Sequence, residues 1–144
     1  MENLWGDFLD YEIDAETPIV KSRLQASLLG PKVKNLLTAS VTPLTARERK
    51  DRLLPSDHLG FTFDIYAPCL DLRVRVFTAT YPLAGFPMKI SKWRRTSGVS
   101  SENIDEFMAE LADILGSDRM KKTLGSLLAQ SMPSDGVDLN GESE

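Results

Sequence analysis

A stretch in the middle of the chain, residues 59–81, constrains the fold more than any other part of the sequence. Apolar residues alternate with polar ones in both of its halves, namely Phe61, Phe63, Ile65, Leu72, Val74 and Val76. Alternation with a period of two is typical of a strand with one buried face. The connection between the halves contains Pro68, which has no amide proton for a strand ladder. We therefore predict a β-hairpin.

Two further strands are predicted on either side of this hairpin. Residues 35–43 are rich in β-branched types and end at Pro43, and residues 88–93 follow a turn that contains two prolines. The connections between the last three strands are short, which favours antiparallel neighbours. The sequence therefore predicts a four-stranded antiparallel meander.

Helix signals stand at both ends of the chain. Thr17 is a good N-cap, Pro18 suits the first helical position, and Gly30 marks a stop, which predicts a helix over residues 18–29. Its large apolar residues recur every four positions, so we expect them to face the core: Val20, Leu24 and Leu28. Near the other end, Asn103 and Ser117 each precede an apolar stripe with helical spacing, which predicts two more helices.

These elements give an α+β fold in the order α-β-β-β-β-α-α, with one domain over residues 1–132. Residues 133–144 are polar and acidic, so we expect a disordered acidic tail. Residues 44–58 are charged and have no clear apolar stripe. For them we expect first a mobile connection and second a short exposed helix.

Charge is sorted along the chain into three blocks. Residues 1–16 hold six acids and no base, residues 17–100 hold fourteen bases against five acids, and residues 101–144 hold three bases against ten acids. The net charge of −4 therefore hides a basic middle. That middle presents an electropositive surface unless the acidic ends fold back across it.

The leading functional hypothesis is a non-enzymatic protein-binding module, of the chaperone, immunity-protein or inhibitor kind, which acts through the outer face of the sheet. Self-association as a homodimer is included in it. Strict alternation places Phe77 and Tyr81 on the face opposite Val74, where they need a cover, a bulge near Phe77, or a partner. The predicted partner-binding residues combine these aromatics with a basic rim: Arg73, Arg75, Phe77, Tyr81, Lys89, Lys92, Trp93, Arg94 and Arg95.

The alternative hypothesis is an accessory protein that binds nucleic acid through the basic segment from Lys89 to Arg95. Four cations in this segment surround Trp93, and single-stranded nucleic acid needs both phosphate neutralisation and a stacking surface. No fingerprint of a known nucleic-acid module is present, and a pI near 5.1 disfavours approach to a polyanion.

Catalysis is poorly supported by the residue inventory. The only His and Cys, His58 and Cys69, fall at opposite ends of a predicted strand, and no zinc spacing or phosphate loop is present. A hydrolase built on Asp64 and Asp71 is the third hypothesis, although exposed ion pairs with neighbouring arginines explain these acids more simply. We expect no enzyme activity, no cofactor and no metal.

The sequence also carries expectations about location. No apolar run approaches the roughly 20 residues of a membrane span, and the first residues are acidic where a secretory signal is basic and then apolar. A single cysteine excludes an internal disulfide. We expect a cytoplasmic protein with no membrane partner and no small-molecule substrate.

Overall fold

The computed structural model describes residues 17–93 and 98–132. The helices are α1 (Pro18–Lys32), α2 (Ala46–Asp51), α3 (Ile104–Leu115) and α4 (Asp118–Ser131). The strands are β1 (Thr38–Pro43), β2 (His58–Ala67), β3 (Leu72–Pro82), β4 (Met88–Lys92) and β5 (Val99–Ser101). Within the described ranges, no helix is both long and apolar enough to cross a membrane.

The strands form one antiparallel meander in the order β1-β2-β3-β4-β5. The α+β class with helices at both ends is confirmed. The sheet has five strands, however, whereas the sequence predicted four. The additional strand, β5, has only three residues, too few to show an alternating pattern, and it is held by pairing with β4, where Lys89 lies opposite Ser100.

The hairpin predicted from residues 59–81 is formed by β2 and β3. A 3₁₀ turn over Pro68–Leu70 joins the two strands, and Asp71 closes the turn in the left-handed conformation with φ of 47°. Short polar residues such as Asp adopt this conformation more readily than most. The turn leaves His58 and Cys69 at opposite ends of a ten-residue strand, so they form no catalytic pair.

The charged segment 44–58 contains a short helix, the second of the two expectations for it. Thr45 and Glu48 form a complete capping box around the start of α2, with hydrogen bonds of 3.0 and 3.1 Å. The segment is anchored on the sheet because Leu44 is buried against Gly60, where an added Cβ would lie 2.5 Å from the Leu44 side chain. Gly60 therefore permits a close approach that a larger residue would block.

Helices α1, α3 and α4 pack on one face of the sheet. Their apolar residues join those of β2, β3 and β4 in one cluster, whose largest fully buried members include Phe61, Phe77, Phe107, Ile65, Leu111 and Ile90. The predicted caps of α3 and α4 are confirmed, since Asn103 and Ser117 accept hydrogen bonds from the backbone amides of Glu106 and Met120. We call the opposite side of the sheet the outer face.

The predicted buried face of α1 is wrong. The helix runs through Pro31 to Lys32 and buries its small residues, Ser22, Ala26 and Gly30, together with Pro18. Small side chains let the helix approach β1 closely, and this turns the large apolar residues outward. The exposed fractions of Val20, Leu24 and Leu28 are 38%, 56% and 49%.

Candidate functional site

A groove of about 670 Å³ crosses the outer face of the sheet. We call it the outer groove. Strands β2, β3 and β4 form its floor, and the connection between α2 and β2 forms one wall. The ten described residues that line it are Arg52, Leu54, Asp64, Arg73, Arg75, Thr78, Thr80, Lys89, Ser91 and Trp93. Four of them are Arg or Lys and one is an acid.

A β-bulge in β3 decides which side chains reach the outer groove. Phe63 pairs with Phe77 and Asp64 pairs with Arg75, so Val76 is an extra residue on β3. A bulge of this kind shifts the alternation of all later side chains. As a result Arg75 and Thr78 lie on the same face although they are three residues apart.

The same bulge places Phe77 in the core. Phe77 is fully buried, stacks on Phe63 at 5.4 Å between ring centroids and meets the edge of Phe61 at 6.0 Å. Tyr81 is half-buried on the same side, 6.1 Å from Phe61, and burial raises the pKa of its hydroxyl. The prediction that Phe77 and Tyr81 are anchors on the outer face is therefore wrong. The bulge near Phe77, one of the alternatives drawn from the sequence, accounts for their position.

The predicted arginines of β3 do line the outer groove. The guanidinium of Arg73 lies 5.2 Å from the ring centre of Tyr66, and its Nη1 donates a hydrogen bond to Ser40 Oγ at 3.3 Å. Arg75 donates from Nε to Asp64 Oδ1 at 3.3 Å. Both arginines are exposed overall, so they are oriented by these contacts while their charges remain open to solvent.

Asp64 is the buried acid of this site. Its exposed fraction is 3%, and its second oxygen, Oδ2, accepts a hydrogen bond from the Thr62 hydroxyl at 3.2 Å. Both carboxylate oxygens are thus partnered from within the sheet. The carboxylate therefore neutralises part of the Arg75 charge and leaves Arg52, Arg73 and Lys89 as the remaining cations among the described residues of the outer groove.

Lys92 and Trp93 are adjacent in the sequence, but their side chains lie on opposite sides of the sheet. Trp93 lines the outer groove, is half-buried, and has the left-handed backbone angle φ of 56°. The guanidinium of Arg119 covers its ring at 4.6 Å. Lys92 instead points toward α3, where its Nζ lies 2.9 Å from Oε1 of Glu110. This contact is an ion pair rather than a well-directed hydrogen bond, because the Glu110 oxygen has no hydrogen-bond partner among the described residues.

The nine predicted partner-binding residues are thus divided by the structure. The outer groove brings together Arg73, Arg75, Lys89 and Trp93. Lys92 faces the helices, Phe77 and Tyr81 belong to the core side, and Arg94 and Arg95 lie outside the described residues.

Several lining residues were missed by reasoning from the sequence. Thr78 and Thr80 have the wrong parity in β3 unless a bulge is placed before them. Ser91 shares the parity of Lys89 and could have been found from it. Arg52 lies far away in the sequence and reaches the outer groove only because α2 is anchored on the sheet, where its Nη2 donates to Thr78 Oγ1 at 3.4 Å.

The two acids of the hydrolase hypothesis do not share a site. Asp64 lines the outer groove, whereas Asp71 lies at the hairpin turn and accepts a hydrogen bond from the Tyr66 hydroxyl at 3.1 Å. Within the described part of the chain, no group of three or more His, Cys, Asp or Glu residues is placed to hold a metal ion. Among its described lining residues, the outer groove presents cations, hydroxyls, one carboxylate and one aromatic ring.

Comparison with known proteins finds no family model that matches the sequence, no matching curated protein and no matching solved structure.

Proposed function

We propose that this protein is a non-catalytic protein-binding module whose outer groove receives an acidic segment of a partner protein. The observation that carries the proposal is the charge of the lining residues, four cations against one acid that is already paired. Guanidinium groups bind carboxylates through two parallel hydrogen bonds, and Arg52 and Arg73 can each present such a fork. An acidic peptide would find there both charge complementarity and directed hydrogen bonds.

The uncharged lining residues support a peptide rather than a bare anion. Thr80 and Ser91 provide half-buried hydroxyls that can donate to backbone carbonyls and accept from backbone amides, whereas the buried Thr78 hydroxyl already accepts from Arg52. Leu54 and Trp93 add apolar surface at the margins, where side chains that flank an acidic motif can pack. This combination of an apolar margin with polar groups resembles the anatomy of protein interfaces.

A nucleic-acid partner is less well supported by this geometry. Base stacking requires an open aromatic face, and Arg119 already covers one face of Trp93 at 4.6 Å. Lys92, one of the cations of that hypothesis, is paired with Glu110 on the other side of the sheet. Of the described cations in this segment, Lys89 lines the outer groove beside Trp93 and Lys92 does not.

Binding of a labelled acidic peptide tests the proposal. The probe is a short fluorescent peptide of Glu and Ser with a central Leu. A thymidine oligonucleotide of the same length represents the nucleic-acid alternative and is tested as a competitor of the peptide. We expect the peptide to bind and its affinity to fall as the salt concentration rises, because exposed charges are screened beyond about 10 Å at 0.1 M ionic strength.

A matched pair of variants shows whether the outer groove is the site. The double variant Arg73→Gln with Lys89→Gln removes two exposed cations, which are worth about 1–2 kcal/mol together, so the peptide affinity should fall about 5- to 30-fold. The control, Lys121→Gln with Lys122→Gln, makes the same change in net charge on exposed positions of α4. Equal losses in both variants would refute the outer groove as the site. Preference for the oligonucleotide would replace the proposal by the nucleic-acid alternative.

A further inference from the structure

Helix α1 carries an apolar row on its exposed side, formed by Val20, Leu24 and Leu28, which we call the α1 stripe. These residues are four positions apart, so they follow one another along about 12 Å of the helix axis at 1.5 Å per residue. Each side chain exposes between 38% and 56% of its surface. Scattered exposed leucines are ordinary, but an apolar row along one helix is typical of a surface that binds another element.

The α1 stripe borders a second groove, between α1 and α4, which we call the interhelical groove. Its volume is about 190 Å³. Its apolar lining includes side chains of α1, α4 and β2, namely Leu28, Leu29, Met120, Leu124, Phe63 and Ile65. A cavity of about 150 Å³ with such walls is enough to bind a benzene ring. The interhelical groove can therefore receive one large apolar side chain of a partner.

The charges of α1 are all basic. The helix contains three bases, Lys21, Arg23 and Lys32, and no acid. Lys32 continues the row one turn after Leu28 and is the only charged residue among the described residues that line the interhelical groove. Arg23 is exposed and lies on the other flank of the α1 stripe, about 100° around the helix from Leu24. A partner with acidic flanks therefore complements this surface in charge.

The same charges argue against a second copy of the chain as the occupant. In a two-fold contact the same patch meets itself, so the bases of one α1 would face those of the other, and α1 has no acid to compensate them. The area is also small. Three half-exposed aliphatic side chains offer on the order of 200–300 Å², whereas a stable interface buries about 800 Å² per partner. The surface fits one helix that binds reversibly.

We propose that the α1 stripe and the interhelical groove bind an acidic amphipathic helix of a partner protein. The apolar face of that helix lies along the α1 stripe, one of its large apolar side chains enters the interhelical groove, and its carboxylates face Arg23 and Lys32. The outer groove lies on the opposite face of the sheet, so the two surfaces can be occupied together. This inference uses different residues from the proposed function, so either can fail alone.

Binding of two matched peptides tests the proposal. The probe is a fluorescent peptide of about four helical turns, built of Ala, Glu and Leu, with Leu at every third or fourth position. Its control has the same composition in a scrambled order that spreads the leucines around the helix. Both peptides carry the same charge, but only the probe offers an apolar face. In fluorescence anisotropy we expect saturable binding of the probe, at least about tenfold tighter than that of the scrambled peptide.

Two pairs of substitutions without a change of charge locate the site. Leu24→Gln with Leu28→Gln should weaken binding of the probe at least about tenfold, because both leucines lie in the proposed contact. The matched control is Leu53→Gln with Leu83→Gln, at two leucines that are 89% and 74% exposed outside this surface. The control should bind the probe as the parent does. Far-ultraviolet circular dichroism confirms that each variant is folded.

A third pair tests the contribution of charge. Arg23→Gln with Lys32→Gln should weaken binding of the probe about 3- to 10-fold and reduce its dependence on salt, because exposed ion pairs are weak and screened. A peptide in which Lys replaces every Glu of the probe should not bind. Equal binding of the acidic and basic peptides would contradict the proposed partner chemistry.

Four further results would overturn the proposal. The first is equal binding of the probe and the scrambled peptide, or no saturable binding of the probe up to about 1 mM. The second is an equal response to the two pairs of leucine substitutions. The third is loss of probe binding in Arg73→Gln with Lys89→Gln, because the probe would then occupy the outer groove. The fourth is a dimer of the parent chain in light scattering that Leu24→Gln dissociates, because a second copy would then cover the α1 stripe.

Discussion

Replacing Arg75 by Met should destabilise the protein more than replacing Asp64 by Asn. The Asp64 side chain is 4% exposed, whereas that of Arg75 is 43% exposed. Among the described residues, loss of the arginine leaves the buried carboxylate with only the Thr62 hydroxyl as a hydrogen-bond partner, but loss of the carboxylate leaves a cation that water can solvate.

The expected magnitudes follow from this asymmetry. A buried group that loses its partner costs about 1–3 kcal/mol, and more when it is charged, but the half-exposed arginine screens the pair, so we expect about 2 kcal/mol for Arg75→Met. Asp64→Asn keeps the shape and one acceptor oxygen and gives up the charge assistance, which is worth about 1 kcal/mol. The double variant should cost about 2 kcal/mol, which is less than the sum of the two single effects. The reason is that Asp64→Asn removes the buried charge that Arg75→Met alone leaves unpaired.

Urea unfolding of the parent and the three variants measures these free energies. The double variant should be more stable than the sum of the single effects by about 1 kcal/mol, a coupling above the roughly 0.3–0.5 kcal/mol scatter of independent sites. Single effects that add within this scatter would show that Asp64 and Arg75 do not depend on each other, and the description of the outer groove floor would be wrong. In peptide binding the two single variants should act in opposite directions, with Asp64→Asn tighter and Arg75→Met weaker.

Three further substitutions test other parts of the structure. Phe77→Ala should cost about 3–5 kcal/mol in urea unfolding because the ring is fully buried, whereas Leu53→Ala, at an exposed position, should change stability by less than about 0.5 kcal/mol. Ser22→Ala should stabilise by up to about 1 kcal/mol, because the buried Ser22 hydroxyl has no hydrogen-bond partner in the described part of the chain; a loss of stability would reveal one. Thr45→Ala should weaken α2 by about 1 kcal/mol, seen as faster amide exchange in that helix alone. Hydrogen bonds from Thr45 lower the pKa of Glu48, so the capping box contributes fully above the ordinary carboxyl pKa and its contribution is lost as pH falls through the lowered value.

Local signals predicted the elements whose formation depends on neighbours in the sequence. The caps at Asn103 and Ser117 are one-residue chemical features that act within four positions, and both were read correctly. The β2–β3 hairpin was equally accessible, because its alternation and Pro68 lie within one continuous stretch. Strand β5 could not be predicted in this way, because three residues are too few to show an alternating pattern.

The outer groove was only half predictable for a related reason. Arg73 and Arg75 have the parity that the sequence shows, and Lys89 and Ser91 share theirs. After Val76 the side chains of β3 switch to the opposite faces of the sheet, and the residue type at that position does not indicate a bulge. Phe77 and Tyr81 were placed on the outer face by a rule that is valid only for an uninterrupted strand.

The sequence by itself determined the class of the fold, the hairpin, the capped C-terminal helices and the concentration of cations in the middle of the chain. Tertiary structure alone decided which face of α1 is buried, where the alternation of β3 shifts, and that Arg52 joins Arg73 across the outer groove. The physical reason is the range of the forces involved. Caps and turns depend on contacts within a few residues, whereas the choice between small and large faces of a helix depends on how closely a distant strand allows it to pack.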